Sequence, residues 1–335
     1  MSDRVLRVAV VGAGIAGLTA RSTLRRAGFA VDTFEKGRGP GGRISRRRAG
    51  EYQFDHGTQY FTAHSPLFSA LAQRWVADGV AAVWQPRIGI LQDGQWTARP
   101  NGPRRFVGVP GMNEPAKALA AEVDGAINYE CRIQSITRES ETGWILRDTD
   151  ETQYEGYDWV VVTTPPVQVL QILQLPSPVR PILGGAVVDP CWAVMAVFEP
   201  DLQIGWDAAF VQKGPLSWVA RNNSKPGRPE HNAWVLHATA EWSRRFVENE
   251  KEWAAEQLVA AFFDALGRQP QHVVWSAAHR WRYARPRTQL PDRYWWDPAI
   301  GLGLCGDWCI GGRVESAFTS ARLLSEDICG RTGAR

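Results

Sequence analysis

Arg7-Val8-Ala9-Val10-Val11-Gly12-Ala13-Gly14-Ile15-Ala16-Gly17 is the stretch whose reading decides the fold. Arg7 to Val11 reads as the short apolar run of a strand buried on both faces. Ala16 to Ala27 then follows a helical pattern that Gly28 stops. A second strand, Ala30 to Phe34, completes a βαβ unit and carries Glu35 at its end, 18 residues beyond Gly17. Each glycine has its own mechanical reason. Gly12 makes the tight turn, Gly14 lets backbone approach a pyrophosphate, and Gly17 lets helix and strand pack closely. The helix N-terminus at Ile15 and Ala16 offers N–H donors and a positive dipole to phosphate. Glu35 is placed to accept an adenosine ribose hydroxyl, with Lys36 beside it, and this argues against a 2′-phosphate there.

Two further segments bear on which dinucleotide is held. Gly37-Arg38-Gly39-Pro40-Gly41-Gly42-Arg43 brings a second glycine pair after the acid-bearing strand, so another backbone segment can pass the pyrophosphate and Arg43 can balance its charge. Near the other end, Gly301 to Asp307 reads as a strand entering a turn, and Gly311-Gly312 opens a helix expected over Ser316 to Ile328. Asp307 is placed to accept ribityl or diphosphate-side hydroxyls. Gly312, Val314 and Glu315 put a helix N-terminus at the flavin N1–C2=O edge, where reduction places negative charge. Together these segments point to FAD held noncovalently.

Between them the chain reads as a helix over Leu67 to Ala77, another over Glu114 to Glu122, and a strand over Ile127 to Ile136 leading into a meander through Gly143 and Asp148 to Asp150. Asp158 to Thr163 is another buried-strand run, ended sharply by Pro165-Pro166, which puts Thr164 at a sheet rim next to a ligand. From Leu170 to Trp281 the texture changes to strands such as Ala193 to Phe198, Ser217 to Ala220 and Trp234 to Thr239, with one helix near Glu252 to Leu266. The expectation is an α/β protein with a discontinuous FAD-binding domain over 1–65, 105–168 and 282–335. A substrate domain of mixed or antiparallel sheet and helices takes 66–104 and 169–281.

The 335 residues carry a net charge of only +3 with dispersed basic residues, which argues against a nucleic-acid partner. The dense run Arg43, Arg46, Arg47 and Arg48 reads either as a solvated basic loop or as an attractor of substrate phosphates. No apolar stretch reaches the roughly 18 residues of a membrane span, and the glycines interrupt what otherwise imitates a secretory signal, so a cytoplasmic chain with no membrane partner is expected. The five cysteines, at 131, 191, 305, 309 and 329, show no disulfide framework, and the Cys305 and Cys309 spacing suits neither a redox pair nor zinc. No metal site is expected.

The chain resembles the renalase family of FAD-dependent oxidoreductases within the wider flavin amine oxidase superfamily. The carriers are Val10 to Gly17 with Glu35, Gly41-Gly42-Arg43, Phe54-Asp55-His56-Gly57-Thr58-Gln59-Tyr60-Phe61, His279 to Ala284, and Gly306-Asp307 with its helix. The resemblance implies a Rossmann-like domain of the p-hydroxybenzoate hydroxylase type. It places Gln59 and Tyr60 beside the isoalloxazine and has Ile133 offer backbone to the adenine. It also implies a reaction: oxidation of the 2- or 6-dihydro isomers of NAD(P)H, with hydride passing to flavin N5 and electrons on to molecular oxygen, giving hydrogen peroxide and NAD(P)+. Such chemistry needs orientation of two rings more than acid or base catalysis.

For the substrate pocket the choices are His237, Asn223, Arg221 and Trp218, with Tyr60 across the flavin. The alternative enzyme is an FAD-dependent amine oxidase. Many of those keep a lysine near flavin N5, and none of Lys36, Lys117, Lys213, Lys225 and Lys251 is assignable to that role from sequence. A binding protein of the GDP-dissociation-inhibitor type is the non-catalytic alternative, and retention of Glu35, Gly41-Gly42 and Asp307 weighs against it.

Overall fold

The computed structural model describes residues 4–99, 102–139, 142–174 and 178–332. The chain forms two compact units: Met1–Gly42 with Pro115–Val188 and Pro286–Arg335, and Arg43–Glu114 with Asp189–Arg285.

The first unit is built on a six-stranded sheet in the order Trp295–Asp297, Leu302–Leu304, Trp159–Val162, Arg7–Val11, Ala30–Phe34, Ile127–Asn128. All neighbours are parallel except the first pair. Val10 sits opposite Thr33 on one side and Val161 on the other, at the sheet's centre. Strand alternation sorts this central strand between two cores. Val8 and Val10 pack with Leu24 of the helix Ile15–Arg26 and with Leu324 and Ile328 of the C-terminal helix. Ala9 and Val11 pack with Trp144 and Leu146 of a three-stranded antiparallel sheet. Fully burying an aliphatic side chain of this kind is worth about 1.5–3 kcal/mol, and Val8, Ala9, Val10 and Val11 are all buried, so the strand that presents the glycine turn is anchored on both faces.

Three stretches differ from the sequence expectation. Leu170 to Trp281, expected with one helix, also forms the short helices Val179–Gly185 and Ala240–Arg245. The expected strand Ile127 to Ile136 is two strands: Ile127–Asn128 adds to the parallel sheet, and Ile133–Glu139 belongs to the antiparallel one. Between them Glu130 takes a left-handed φ of 57°, so one strand cannot run through. The C-terminal helix spans Val314–Thr332 rather than Ser316 to Ile328, starting two residues after the second of the positive-φ pair Gly311 and Gly312.

The second unit carries a seven-stranded sheet ordered His272–Pro286, Val188–Glu199, Ala233–Ala238, Leu216–Arg221, Ala208–Val211, Ile88–Gln92, Gln95–Ala98. It is mixed, since Ala208–Val211 runs parallel to Ile88–Gln92 while the other described pairings are antiparallel. The helix Lys251–Leu266 lays Leu258, Phe262 and Phe263 against Phe198, Trp206 and Trp234. The helix Pro66–Ala77 is started by Ser65, whose hydroxyl accepts the Phe68 N–H at 3.4 Å. Residues 43–65, 105–114 and 282–285, expected in the nucleotide domain, fall in this second unit, and 169–188 falls in the first. The reason for the former is visible at Asp55, whose carboxylate is held by Lys225, Arg228 and the Met112 N–H. Among the described residues no helix is long and apolar enough to cross a membrane.

Candidate functional site

In the first unit the glycine turn is forced by contact distances. Gly12 has φ +106°, and a side chain there would put Cβ 2.6 Å from Thr163 Oγ1. A Cβ on Gly17 would stand 1.8 Å from the Gly12 carbonyl oxygen, so only glycine lets the helix approach this closely. Gly14 is different: a Cβ there would meet nothing within 4 Å, so open space faces the point where the helix begins. Gly14 is the N-cap of Ile15–Arg26 and supplies no side-chain cap, and the first turn holds no acid. The first-turn N–H groups and the dipole are therefore left for an anion, which fits a dinucleotide pyrophosphate.

Glu35 closes this turn from the neighbouring strand. Its carboxylate accepts the Ala13 N–H at 2.8 Å and the Gly37 N–H at 2.7 Å, and is nine-tenths buried. The glycine-rich segment returns over the same turn, with the Gly41 N–H donating to Ala13 O at 2.9 Å. Gly42, at φ +56°, comes so near Gly14 that its Cβ would lie 3.7 Å from the Gly14 Cα. Burial lowers the Lys36 ammonium's pKa, with Arg132 adding to the effect. Ile133 starts its strand two residues after Cys131, whose N–H bonds Glu35 O at 3.0 Å.

Thr164 Oγ1 is buried without a hydrogen-bond partner among the described residues, an orphan at the rim where the parallel strands end. Asp307 is buried, and its carbonyl accepts the N–H groups of Gly311 at 2.7 Å and Gly312 at 3.1 Å, which bends the chain into the C-terminal helix that Val314 and Glu315 begin. Gly12, Gly14, Ile15, Ala16, Gly17, Glu35, Lys36, Gly41, Gly42, Ile133, Thr164, Asp307, Gly312, Val314 and Glu315 thus share the first unit. The residues fit FAD on three counts: an open helix N-terminus, a cradle in which side chains would collide, and an orphaned buried hydroxyl.

Arg43, Gln59 and Tyr60 lie in the second unit. Arg43 donates to Ala284 O at 3.1 Å, and Arg46 is ion-paired with Glu114 at 3.7 Å, so this part of the arginine run is neither solvated nor loose. Gln59 is buried, its amide N–H donating to Gly57 O and its carbonyl accepting from Lys225 Nζ at 3.1 Å. Lys225, which sequence alone does not assign, is fully buried and bonds Asp55, Gln59 and Asn222. Arg228 completes the cluster, with Nη2 2.7 Å from Asp55 Oδ2. Burial alone would raise the Asp55 pKa, but Lys225 and Arg228 outweigh it and hold the carboxyl below its ordinary value. Burial also brings Lys225 down to about 8. Two cations thus share one carboxylate out of contact with water.

Tyr60 stands among aromatic rings, 6.0 Å from Trp84 and 5.8 Å from Trp218, with the Arg105 guanidinium 5.3 Å from its centroid. Trp218 Nε1 and Asn223 Oδ1 are buried and unpartnered among the described residues, a donor and an acceptor on one strand and the turn that follows it. His237 lies on the next strand and bonds His56 O at 3.2 Å, and burial lowers its pKa to about 3. Arg221 is engaged elsewhere: its guanidinium donates to Ile204 O at 3.0 Å, lies 3.6 Å from Asp201 and sits over the Trp234 ring. Reasoning from sequence missed Asp55, Arg228 and the neighbouring rings of His56, His279 and Trp281, packed 4.2–5.0 Å apart. Except for Arg228, their signal lies in the quoted segments around Asp55 and His279, where polar residues interrupt apolar strands. Cys305 and Cys309 are buried and their thiols pushed up by burial, which leaves them without thiolate character.

Two family models match successive stretches of the chain. Residues 10–75 match the model of the NAD(P)-binding Rossmann-like domain, and residues 89–329 match that of the flavin containing amine oxidoreductases. A zeta-carotene-forming phytoene desaturase of Myxococcus xanthus is 47% identical over 51 residues, a match that spans 15% of this chain and 10% of that protein. The fold is similar to that of an assigned protoporphyrinogen oxidase of Exiguobacterium sp. 255-15, with a TM-score of 0.80 at 14% identity over 99% of this chain and 100% of that one. It is similar also to putrescine oxidase bound to putrescine, with a TM-score of 0.73 at 14% identity over 98% and 100% of the two chains. A CLA-producing fatty acid isomerase of P. acnes gives 0.74 at 13% identity, covering 99% of both.

Proposed function

The chain belongs to the flavin containing amine oxidoreductase family, and we propose that within it the protein oxidises isomeric reduced nicotinamide nucleotides, the 2- or 6-dihydro forms of NAD(P)H. As a member it is an FAD-dependent oxidoreductase that holds FAD noncovalently. The finer reading is carried by one observation, the unpartnered pair Trp218 Nε1 and Asn223 Oδ1. A buried donor and a buried acceptor each cost about 1–3 kcal/mol when left unmade. A primary carboxamide carries both kinds of partner, a carbonyl that accepts and an amide N–H that donates, and nicotinamide carries that group. Bound flavin supplies the two-electron acceptor for this chemistry. The overall balance is one dihydronicotinamide nucleotide, one O2 and one H+ giving NAD(P)+ and H2O2. What the chain must do is orient the nicotinamide ring and exclude water, in keeping with the aromatic surroundings of Tyr60.

A second reading, oxidation of an amine, is supported by the family's description and by the fold likeness to putrescine oxidase. The Arg105 guanidinium over Tyr60 weighs against a cationic substrate there. Anaerobic mixing of the holoenzyme with 2-dihydro-NAD, 6-dihydro-NAD and putrescine, followed at the flavin absorption band, decides between them. Bleaching by either isomer and not by putrescine is expected; bleaching by putrescine alone would replace the nicotinamide reading with the amine one.

A further inference from the structure

We infer that a cleft in the second unit, lined by Arg99, Arg104, Arg105, Trp84 and Gln85, binds the phosphate groups of the substrate; this rests on the nucleotide reading and extends it to named residues. The cleft has a volume of about 680 Å³, in the range of small-molecule sites. It lies where the strand Ala81–Trp84 ends beside the strand Arg105–Gly108 with which it pairs, and the residues leading into the latter complete it.

The charge there is one-sided. Other arginines of this unit are matched to carboxylates: Arg87 to Asp207, Arg228 to Asp55, Arg244 to Asp189 and Arg282 to Glu248. Among the described residues Arg99, Arg104 and Arg105 make no side-chain hydrogen bond or ion pair, and no acid lines the cleft. Each is instead held over an aromatic ring: Arg99 over Phe210 at 5.1 Å, Arg104 over Phe106 at 5.4 Å and Arg105 over Tyr60 at 5.3 Å. Ring contact restrains each guanidinium and leaves its N–H groups available to a ligand. Arg105 adds the observation that selects an anion: its Nε is buried with no acceptor, a charged donor stripped of water. Phosphate oxygens match the guanidinium fork, and a pyrophosphate can engage more than one arginine. Trp84, in the cleft wall, lies 6.0 Å from Tyr60, and Tyr60 lies 5.8 Å from Trp218. The proposed carboxamide partner and the arginines are thereby linked through one run of rings.

The test compares 6-dihydro-NAD with the phosphate-free dihydronicotinamide riboside in wild type, Arg104→Gln, Arg105→Gln and the conservative Arg105→Lys. Flavin content and far-UV circular dichroism report folding. Each Gln variant is expected to raise KM for the dinucleotide about tenfold, as for loss of one charge-assisted hydrogen bond. The KM ratio of riboside to dinucleotide should shrink accordingly, with Arg105→Lys intermediate. A wild-type ratio near one, or a ratio the Gln variants leave unmoved, overturns the assignment. Calorimetric titration of the same proteins with inorganic pyrophosphate judges the cleft apart from the reaction. Binding by wild type that the Gln variants lose supports the site even if neither isomer reduces the flavin; no binding by wild type refutes it.

Discussion

Glu35 Oε2 accepts a hydrogen bond from the backbone N–H of Ala13 at 2.8 Å, so the acid at the end of one strand fixes the glycine turn at the end of its neighbour. Its other oxygen takes the Gly37 N–H at 2.7 Å. Both oxygens are thus spent partly on shaping the cradle, and the remaining lone pairs are what a ribose hydroxyl can use. Glu35→Gln turns one acceptor into a donor that faces a backbone N–H. A loss of about 1–3 kcal/mol is expected, read as a lower urea midpoint of the apoprotein together with weaker FAD retention on dilution. An apoprotein of unchanged midpoint would show that the carboxylate does not hold the turn.

The two glycines of the turn separate folding from binding. Gly17→Ala places Cβ 1.8 Å from the Gly12 carbonyl oxygen, a collision with backbone that cannot move cheaply. Gly14→Ala meets nothing within 4 Å of the chain itself. The first variant is expected to be destabilised by at least the 1–3 kcal/mol typical of overpacking, roughly, and to be recovered poorly. The second should unfold at nearly the wild-type temperature yet bind FAD weakly, because the methyl occupies the ligand's approach. Yellow, fully loaded Gly14→Ala protein would contradict the proposed pyrophosphate position.

How far the fold and the site are legible in sequence depends on whether the cause is local. Arg7 to Glu35 is readable because an apolar run, the three glycines of the turn and an acid within one βαβ unit constrain each other at short range. The break at Glu130 is not, since its positive φ answers to pairing with two different sheets. The Asp55 cluster joins residues 170 and 173 positions apart, Lys225 and Arg228, and no periodicity announces such a contact. The choice of Trp218 and Asn223 rests on their strand and turn, whereas Arg221 from the same segment is turned to Asp201 and Trp234. A side chain's direction at a strand end is set by its tertiary neighbours.

The ring cluster of the second unit makes a pH prediction. Burial holds His56 at about 3, His237 at about 3 and His279 at about 4, all below the ordinary 6.5. The unfolded chain therefore takes up protons that the folded chain refuses between roughly pH 6.5 and these lower values. The stabilising effect of burying them neutral is whole above about pH 6.5 and is lost as pH falls, with a slope of up to about 1.4 kcal/mol per pH unit for each fully buried ring. Denaturant midpoints measured from pH 7 to 4 should decline, and His56→Asn should make that decline shallower. A flat wild-type profile would be incompatible with neutral buried rings.

At Asp55 the arithmetic of charge predicts an asymmetry between partners. Asp55 faces both Lys225 at 3.3 Å and Arg228 at 2.7 Å, and all three side chains are fully buried. Asp55→Asn leaves two cations without a carboxylate, and a loss of about 3–5 kcal/mol is expected, as for breaking a buried pair. Lys225→Met removes the surplus cation and leaves Asp55 with Arg228, so it should cost much less at pH 7. The lysine also has a pH signature. Its folded pKa of about 8 lies below the ordinary 10.5, so between these values the folded chain has released a proton that the unfolded chain keeps. Stability contributed by this group therefore rises with pH across that window, and Lys225→Met should lack the rise. Urea unfolding at pH 7 and from pH 8 to 10 checks both points; a Lys225→Met variant as unstable as Asp55→Asn would mean that the lysine, and not the carboxylate, organises the cluster.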